Sequence, residues 1–289
     1  MSLTLLQGWQ TAKTRLTAAG IAGPVIDARL LVEAAADATR ADIVTDPHRA
    51  LTPDQEARLD DYVRRRERRE PVSHILGRKG FWKIMLQVNP NVLTPRPDTE
   101  SLLDVVLPAF PEHAAFSVLD LGVGSGAILL AILAERPGAK GLGVDVSEEA
   151  LAVARDNAAH LGLASRAALL RGDWTQGLAE ASFDLVVSNP PYIATSVIET
   201  LDPEVRDHEP RIALDGGPDG LAHYRVLAPE ILRVLKPGGR FAVEIGYDQK
   251  TAVEALFRQA GAAEVRTTRD LGDRDRVVAG AKNPLETPA

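Results

Sequence analysis

At 289 residues, with 45% hydrophobic and 25% charged side chains, the chain has an ordinary globular composition and enough length for two unequal domains. It contains no cysteine, which excludes disulfides, thiolate nucleophiles and thiolate metal sites together and suits a reducing, cytoplasmic setting. The net charge of −7 argues against broad nucleic-acid binding through phosphate neutralisation, so no direct nucleic-acid contact is expected.

In chain order, Leu5, Leu6, Trp9, Ala12 and Leu16 fall on one face of a helical repeat. Lys13 and Arg15 interrupt this stretch, so it reads as an amphipathic helix rather than a secretory signal. No apolar run approaches the ~18 residues of a membrane helix. Gly20 to Pro24 break the first helix, and Ile26, Leu30, Leu31, Ala34 and Ala35 mark the apolar face of a second. Thr52 as N-cap, Pro53 at the first helical position and Gln55 completing a capping box start a third. That helix runs through Leu59, Tyr62 and Val63 into Arg64-Arg65-Arg66-Glu67-Arg68-Arg69, a charge run whose ordinary meaning is a solvated face near a helix C-terminus. Its alternative meaning is a docking site for an acidic or RNA-associated partner. Trp9 and Trp82 read as core. The six histidines are scattered without metal-ligand spacing, so no metal is expected. Residues 1–72 are therefore expected to form a small helical bundle.

Residues 73–100 change character. Residues 81–88 and 92–93, split by Asn89-Pro90-Asn91, suggest a hairpin or a pair of extended segments, and Thr94-Pro95-Arg96-Pro97-Asp98-Thr99-Glu100 reads as an ordered linker too proline-rich for a helix or a central strand. From residue 101 to 281 strands and helices alternate. Strands are expected at 117–121, 141–146, 167–170, 184–188, 240–245, 264–268 and 276–280, and helices at 127–135, 147–160, 221–235 and 253–260. This pattern implies a mostly parallel, doubly wound α/β sheet. Residues 282–289 are expected to be a disordered tail.

The predicted strand Val118-Leu119-Asp120-Leu121 runs into Gly122-Val123-Gly124-Ser125-Gly126, and such a turn lets the backbone approach a ligand at the carboxyl edge of the sheet. Asp145 ends the next strand at a distance suited to a carboxylate that accepts both ribose hydroxyls. This pair specifies a nucleoside-type cofactor and leaves NAD open. Asn189-Pro190-Pro191-Tyr192 follows another apolar strand at the same rim. Its prolines stiffen the chain and donate no hydrogen bonds, so the Asn189 side-chain oxygen and a proline carbonyl can accept both protons of a planar –NH2 group. Tyr192 offers a flat face for stacking. Together these features point to methyl transfer from S-adenosyl-L-methionine to a planar nitrogen.

This combination resembles the class I (Rossmann-like) methyltransferases. Within them, Glu70-Pro71, Ile75-Leu76-Gly77, Phe81-Trp82, Thr94 to Glu100, Gly172-Asp173-Trp174, Pro203-Glu204-Val205, Glu209-Pro210, Asp219-Gly220-Leu221, Glu244-Ile245-Gly246 and Arg274-Asp275-Arg276 are similar to the release factor glutamine methyltransferase family. The resemblance implies an N-terminal helical domain for substrate recognition, a β-hairpin linker and a seven-stranded catalytic domain. It implies transfer to the amide nitrogen (N5) of the glutamine in the Gly-Gly-Gln motif of peptide chain release factors. By position, Gly122, Val123, Gly124, Ser125 and Gly126 would lie against the methionine part of the cofactor and Asp145 would hold its ribose. Asp173 and Trp174 would border the adenine, Arg96 and Thr99 would close over the cofactor from the linker, and Asn189, Pro190, Pro191 and Tyr192 would grip the glutamine. The sequence departs from the family at His74 and Thr94, both expected to flank the pocket. A glutamine on a ribosomal protein, an adenine N6 in nucleic acid and a non-catalytic nucleotide-binding module are the competing readings.

Overall fold

Capping boxes start three of the first four helices, at Thr4 with Gln7, Thr39 with Asp42 and Thr52 with Gln55. In the last of these, Gln55 N–H donates to Thr52 Oγ1 at 3.2 Å while Thr52 N–H donates to Gln55 Oε1 at 3.0 Å, satisfying two donors that the helix leaves open. The computed structural model describes residues 2–284. Its first helices are α1 (Leu5–Ala18), α2 (Pro24–Ala35), α3 (Arg40–Thr45), α4 (Pro53–Glu67) and α5 (Val72–Leu76), packed on Leu5, Leu16, Leu31, Val32, Leu59 and Val63. The short helices α3 and α5 go beyond the sequence expectation.

The chain continues with β1 (Arg78–Phe81) and β2 (Ile84–Gln87), which pair in a two-stranded sheet. The hairpin thus turns at Trp82-Lys83 and not at Asn89-Pro90-Asn91. Trp82 adopts a left-handed φ of +52°, a conformation that a bulky residue does not advertise in sequence. Asn89-Pro90-Asn91 forms a separate turn, with Asn91 N–H donating to Asn89 Oδ1 at 2.9 Å. A 3-10 turn at Pro97–Thr99 leads into α6 (Glu100–Val106), correcting the expected non-helical linker, since proline is tolerated in a first helical turn.

The large sheet comprises β3 (Ser117–Leu121), β4 (Lys140–Asp145), β5 (Ala167–Arg171), β6 (Phe183–Ser188), β7 (Leu235–Glu244), β8 (Ala262–Arg269) and β9 (Asp275–Lys282), ordered β5-β4-β3-β6-β7-β9-β8. The first five in that order are parallel, and β9 runs antiparallel to β7 and β8. Pro237-Gly238-Gly239 is an excursion within β7, whose register with β6 passes from Leu235↔Phe183 to Arg240↔Leu185. The remaining helices are α7 (Ala127–Glu135), α8 (Glu148–His160), α9 (Pro203–Arg206), α10 (Ala222–Val234) and α11 (Lys250–Gln259). Side chains alternate across the sheet. Val118, Leu185 and Val187 pack with Leu102, Leu129, Leu130 and Leu151 on one face, while Leu119, Leu121, Val186 and Phe241 pack with Tyr224, Leu227, Ile231 and Phe257 on the other. This is the doubly wound seven-stranded α/β fold of the class I methyltransferases. Lys282 closes β9, so the expected tail begins inside a strand, and residues 285–289 lie outside the described residues.

The chain divides into two compact units, one up to Arg78 together with Asp202–His208, the other comprising Lys79–Leu201 and the chain from Glu209 onward. Within the first unit the arginine run is largely taken up by carboxylates. Arg66, with a side chain only 8% exposed, pairs with Asp27 at 2.7 Å and Glu204 at 3.0 Å, and Arg65 pairs with Glu70 and Arg69 with Glu204. The run is therefore more than a solvated face. Among the described residues no helix is long and apolar enough to cross a membrane.

In the second unit the chain moves outward from β3 through β4 to β5, then returns to lay β6 against the other side of β3. The order reverses between β3 and β6, and a crevice opens at the carboxyl ends of strands at such a point.

Candidate active site at the sheet switch point

A cavity of about 320 Å³ occupies this crevice, within the size range of small-molecule sites. Gly122, Val123, Gly124 and Ser125 form its floor after β3, and Asp145, the last residue of β4, stands beside them. Asp145 Oδ2 accepts from Gly124 N–H at 2.9 Å and Oδ1 from Ser147 N–H at 3.0 Å. One carboxylate thus fixes both the loop and the start of α8, with lone pairs left for a ligand. Gly124 needs a left-handed φ of +53° to present that amide. Gly143 in β4 permits the close approach of the loop, because a Cβ there would sit 2.7 Å from Val123 Cγ2.

Asn189 follows β6 on the opposite wall. Its Nδ2 donates to the buried Thr99 Oγ1 at 3.3 Å, which leaves Oδ1 as the amide's open acceptor. Pro191 lines the cavity as well, whereas Pro190 is buried beneath it and Tyr192 does not reach the lining. The Tyr192 hydroxyl donates to Glu244 Oε1 at 3.1 Å, and its carbonyl accepts from Gln249 Nε2 at 2.9 Å. Burial and the adjacent Glu244 hold the phenol well above its ordinary range, so it remains a protonated donor.

Arg96, Thr99, Asp173 and Trp174 complete the set of sequence-selected residues at the cavity; Gly126 lies just outside it. The Trp174 ring covers Gly122 and tilts against His223 with centroids 5.3 Å apart. Glu209, with a side chain 1% exposed, holds Arg96 Nη2 at 2.5 Å, and its Oε1 accepts from Thr94 N–H at 3.4 Å. Burial pushes the Glu209 carboxyl up, with Arg96 opposing. Glu209, like Glu204 and Asp219, is thus a tie between segments, Asp219 pairing with Arg225 at 2.5 Å. Thr94 and His74 are buried outside the lining. Sequence reasoning missed Leu93, Ile128, Ala150, Ile212 and His223 in the cavity wall; only the helical positions of Ile128 and Ala150 carried any signal.

Asp120 lies one layer below the glycine loop, 1% exposed, with Oδ2 accepting from Leu129 N–H at 3.1 Å. Burial first, and Asp145 second, push its carboxyl from 3.8 up to about 7. The folded protein therefore retains a proton that the unfolded chain releases between these values, and stability falls as pH rises through that interval. Asp120→Asn, isosteric with the protonated acid, is expected to flatten this dependence and to be more stable than the parent by on the order of a few kcal/mol at about pH 8. Urea midpoints measured across pH check this, and parallel curves for the two proteins exclude Asp120 as the source.

Residues 7–77 match the family described as PrmC N-terminal domain, and residues 112–280 match the one described as Methyltransferase domain. The chain is 73% identical over 289 residues to a release factor glutamine methyltransferase of Caulobacter vibrioides, covering 100% of both chains. It is 45% identical to that of Agrobacterium fabrum, over 92% of this chain and 93% of the relative. Among solved structures, a methyltransferase from Pyrococcus furiosus shares the fold with a TM-score of 0.51 at 22% identity, covering 68% of this chain and 88% of that one. With both regions matched and a relative of that identity along its whole length, the chain belongs to the release factor glutamine methyltransferase family.

Proposed function

We propose that the protein transfers a methyl group from S-adenosyl-L-methionine to the side-chain amide nitrogen (N5) of the glutamine in the Gly-Gly-Gln motif of peptide chain release factors. The observation that carries this reading is the position of Asn189. It stands on one wall of the switch-point cavity with its amide nitrogen engaged by Thr99, opposite a glycine loop braced by Asp145. The donor set suits the cofactor: a carboxylate for ribose hydroxyls, a left-handed glycine loop for close approach and an indole face for a base. Gly122 to Gly126, Asp145, Asp173, Trp174, Asn189, Arg96 and Thr99 are its proposed holders; Asn189 and Pro191 face the glutamine from the cavity wall, with Pro190 and Tyr192 backing them. When bound, the cofactor supplies a methyl group on a positively charged sulfur.

An amide nitrogen is a poor nucleophile because its lone pair is delocalised into the carbonyl. Asn189 Oδ1 and a proline carbonyl of the motif accept its two protons, raise electron density on nitrogen and fix its direction of attack, a preorganised electrostatic contribution. Pro190 and Pro191 stiffen this acceptor pair. Tyr192, tied to Glu244, anchors the end of the motif. No base is required in the motif, since the proton is acidic once the nitrogen carries the methyl. In the same reading residues 1–72 recognise the release factor, 73–100 link, and 101–281 perform transfer.

The test offers donor labelled in its methyl group with a release factor, a ribosomal protein or DNA in separate reactions. Label on the release factor, lost when its Gly-Gly-Gln glutamine is replaced by alanine, is expected. Label confined to DNA or to the ribosomal protein overturns the assignment.

A further inference from the structure

The backbone carbonyls of Tyr192 and Gly220 converge on one side chain. Gln249 Nε2 donates to the first at 2.9 Å and to the second at 3.1 Å, and Gln249 Oε1 accepts from Gly246 N–H at 2.9 Å. A carboxamide carries two N–H donors and one acceptor oxygen, and here all of its partners are backbone groups whose polarity is fixed. The reverse orientation would set Oε1 against two carbonyl oxygens and –NH2 against an N–H. Gln249 itself is rooted in the loop after β7, where its own N–H donates to the Gly246 carbonyl at 3.0 Å just before α11 begins. The segments meet too closely for side chains: a Cβ at Gly220 would collide with the Tyr192 oxygen and sit 2.6 Å from Gln249 Nε2, and one at Gly216 would sit 2.8 Å from the Tyr192 Cα.

The peptide plane between Tyr192 and Ile193 is thus pinned on both edges, its N–H donating to the Leu214 carbonyl at 3.0 Å and its C=O accepting from Gln249. At the other end of the tetrapeptide, Ser188 Oγ donates to the Leu121 carbonyl at 2.7 Å. Between these anchors lie two prolines, each with φ locked by its ring. The segment therefore has few torsions with which to absorb a turn of the Tyr192 peptide, and such a turn carries through to Asn189 and Pro191 on the cavity wall. We infer that Gln249 is a positioning residue for methyl transfer: its side-chain amide clamps the Tyr192–Ile193 peptide plane and so sets the angle at which the tetrapeptide presents its acceptors to the substrate nitrogen. This deepens the proposed reaction and rests on it for its catalytic consequence. A contact of this kind holds a functional group in its productive geometry by hydrogen bonds from behind. Gln249, Tyr192 and Gly220 all lie outside the cavity lining, so the clamp bears on the grip of the acceptor and leaves the cofactor's contacts in place.

Gln249→Glu keeps the shape of the side chain and its acceptor for Gly246, but an ionised carboxylate has no proton to give the two carbonyls. Labelling tyrosine with ¹³C at its carbonyl and isoleucine with ¹⁵N isolates the clamped peptide in one magnetic-resonance signal, because of the four tyrosines only Tyr192 precedes an isoleucine. In the variant this carbonyl signal is expected to move upfield, as a carbonyl does on losing a hydrogen-bond donor. The same change is expected to lower kcat about ten- to a hundredfold, the cost of a small misplacement of a reacting group, with cofactor Kd within about twofold of the parent and KM for the release factor altered less than kcat. An unmoved carbonyl signal, or a kcat within about threefold of the parent, overturns the clamp. Gln249→Met removes the donors without adding charge, carries the same expectations and serves if the glutamate variant does not fold. If the parent methylates no release factor while the signal moves as expected, the proposed reaction fails and the hold on Tyr192 stands; an active parent with an unmoved signal fails the clamp alone.

Discussion

Asn189→Ala is expected to lower kcat for release factor methylation by about two to three orders of magnitude, while the Kd for S-adenosyl-L-methionine rises by less than about fivefold. The magnitude follows from what the alanine removes. Asn189 Oδ1 is the open acceptor on the cavity wall, its nitrogen being held by Thr99, and loss of one such preorganised contact in other enzymes costs about 3–4 kcal/mol of transition-state stabilisation. The cofactor retains the glycine loop, Asp145 and Trp174, which stand on separate segments of the lining. The effect should therefore fall on kcat more than on KM, as for an interaction strengthened in the transition state. Single-turnover rates at saturating donor, with donor affinity measured by calorimetry, separate the two. Activity within about threefold of the parent contradicts the role given to Asn189.

The parts of this site legible in sequence are those encoded by contiguous residues. A glycine loop after an apolar strand, a carboxylate ending the next strand and a proline-stiffened tetrapeptide are local patterns, and strand–helix alternation is enough to bring them to one edge. Predicted strand 117–121 and helix 127–135 coincide with β3 and α7, because a mostly apolar strand and a mostly apolar helix separated by glycines permit few other readings. What stayed hidden depends on pairing across the chain. Arg96 and Glu209 meet from 113 positions apart, and Tyr192 and Glu244 from 52; neither residue of either pair signals its partner. The segment from 193 to 221 has no hydrophobic period to read. Besides the single-turn α9, it is built from 3-10 turns at Thr195–Thr200 and Arg211–Ala213 and from ties such as Thr195 Oγ1 to Asp215 Oδ1 at 2.6 Å. The misplaced hairpin has another cause. Turn chemistry is written in glycine and asparagine, so Asn89-Pro90-Asn91 drew the prediction while Trp82, held at a left-handed φ by its surroundings, supplied the turn.

Arg276→Met is expected to destabilise the catalytic unit by about 3 kcal/mol, the lower end of the range for breaking a buried ion pair. Arg276 is 6% exposed in β9. Its Nε lies 3.0 Å from Asp270 Oδ2, its Nη1 donates to the Ile245 carbonyl at 3.2 Å and its Nη2 lies 3.4 Å from Asp98. Methionine fills much of the volume but leaves Asp270, whose side chain is 2% exposed, without its cation. The loss stays at the low end because Asp270 Oδ1 keeps the Gly272 and Arg274 amides at 2.8 and 3.1 Å. Glu244, whose Oε1 accepts from the Tyr192 hydroxyl at the end of the tetrapeptide, loses a nearby positive charge as well, so catalysis should suffer beyond what stability explains. Arg276→Lys restores the charge but cannot reproduce the planar fork that serves Asp270, Ile245 and Asp98 together, and should fall between the two. Removing the carboxylate too, in Arg276→Met with Asp270→Asn, should cost less than the sum of the single changes, because neither partner is then stranded. Equilibrium urea unfolding of the four proteins measures this coupling. Strict additivity means that the pair contributes separately to the solvent and not to each other, in which case the β8–β9 turn is held by the Asp270 backbone contacts alone.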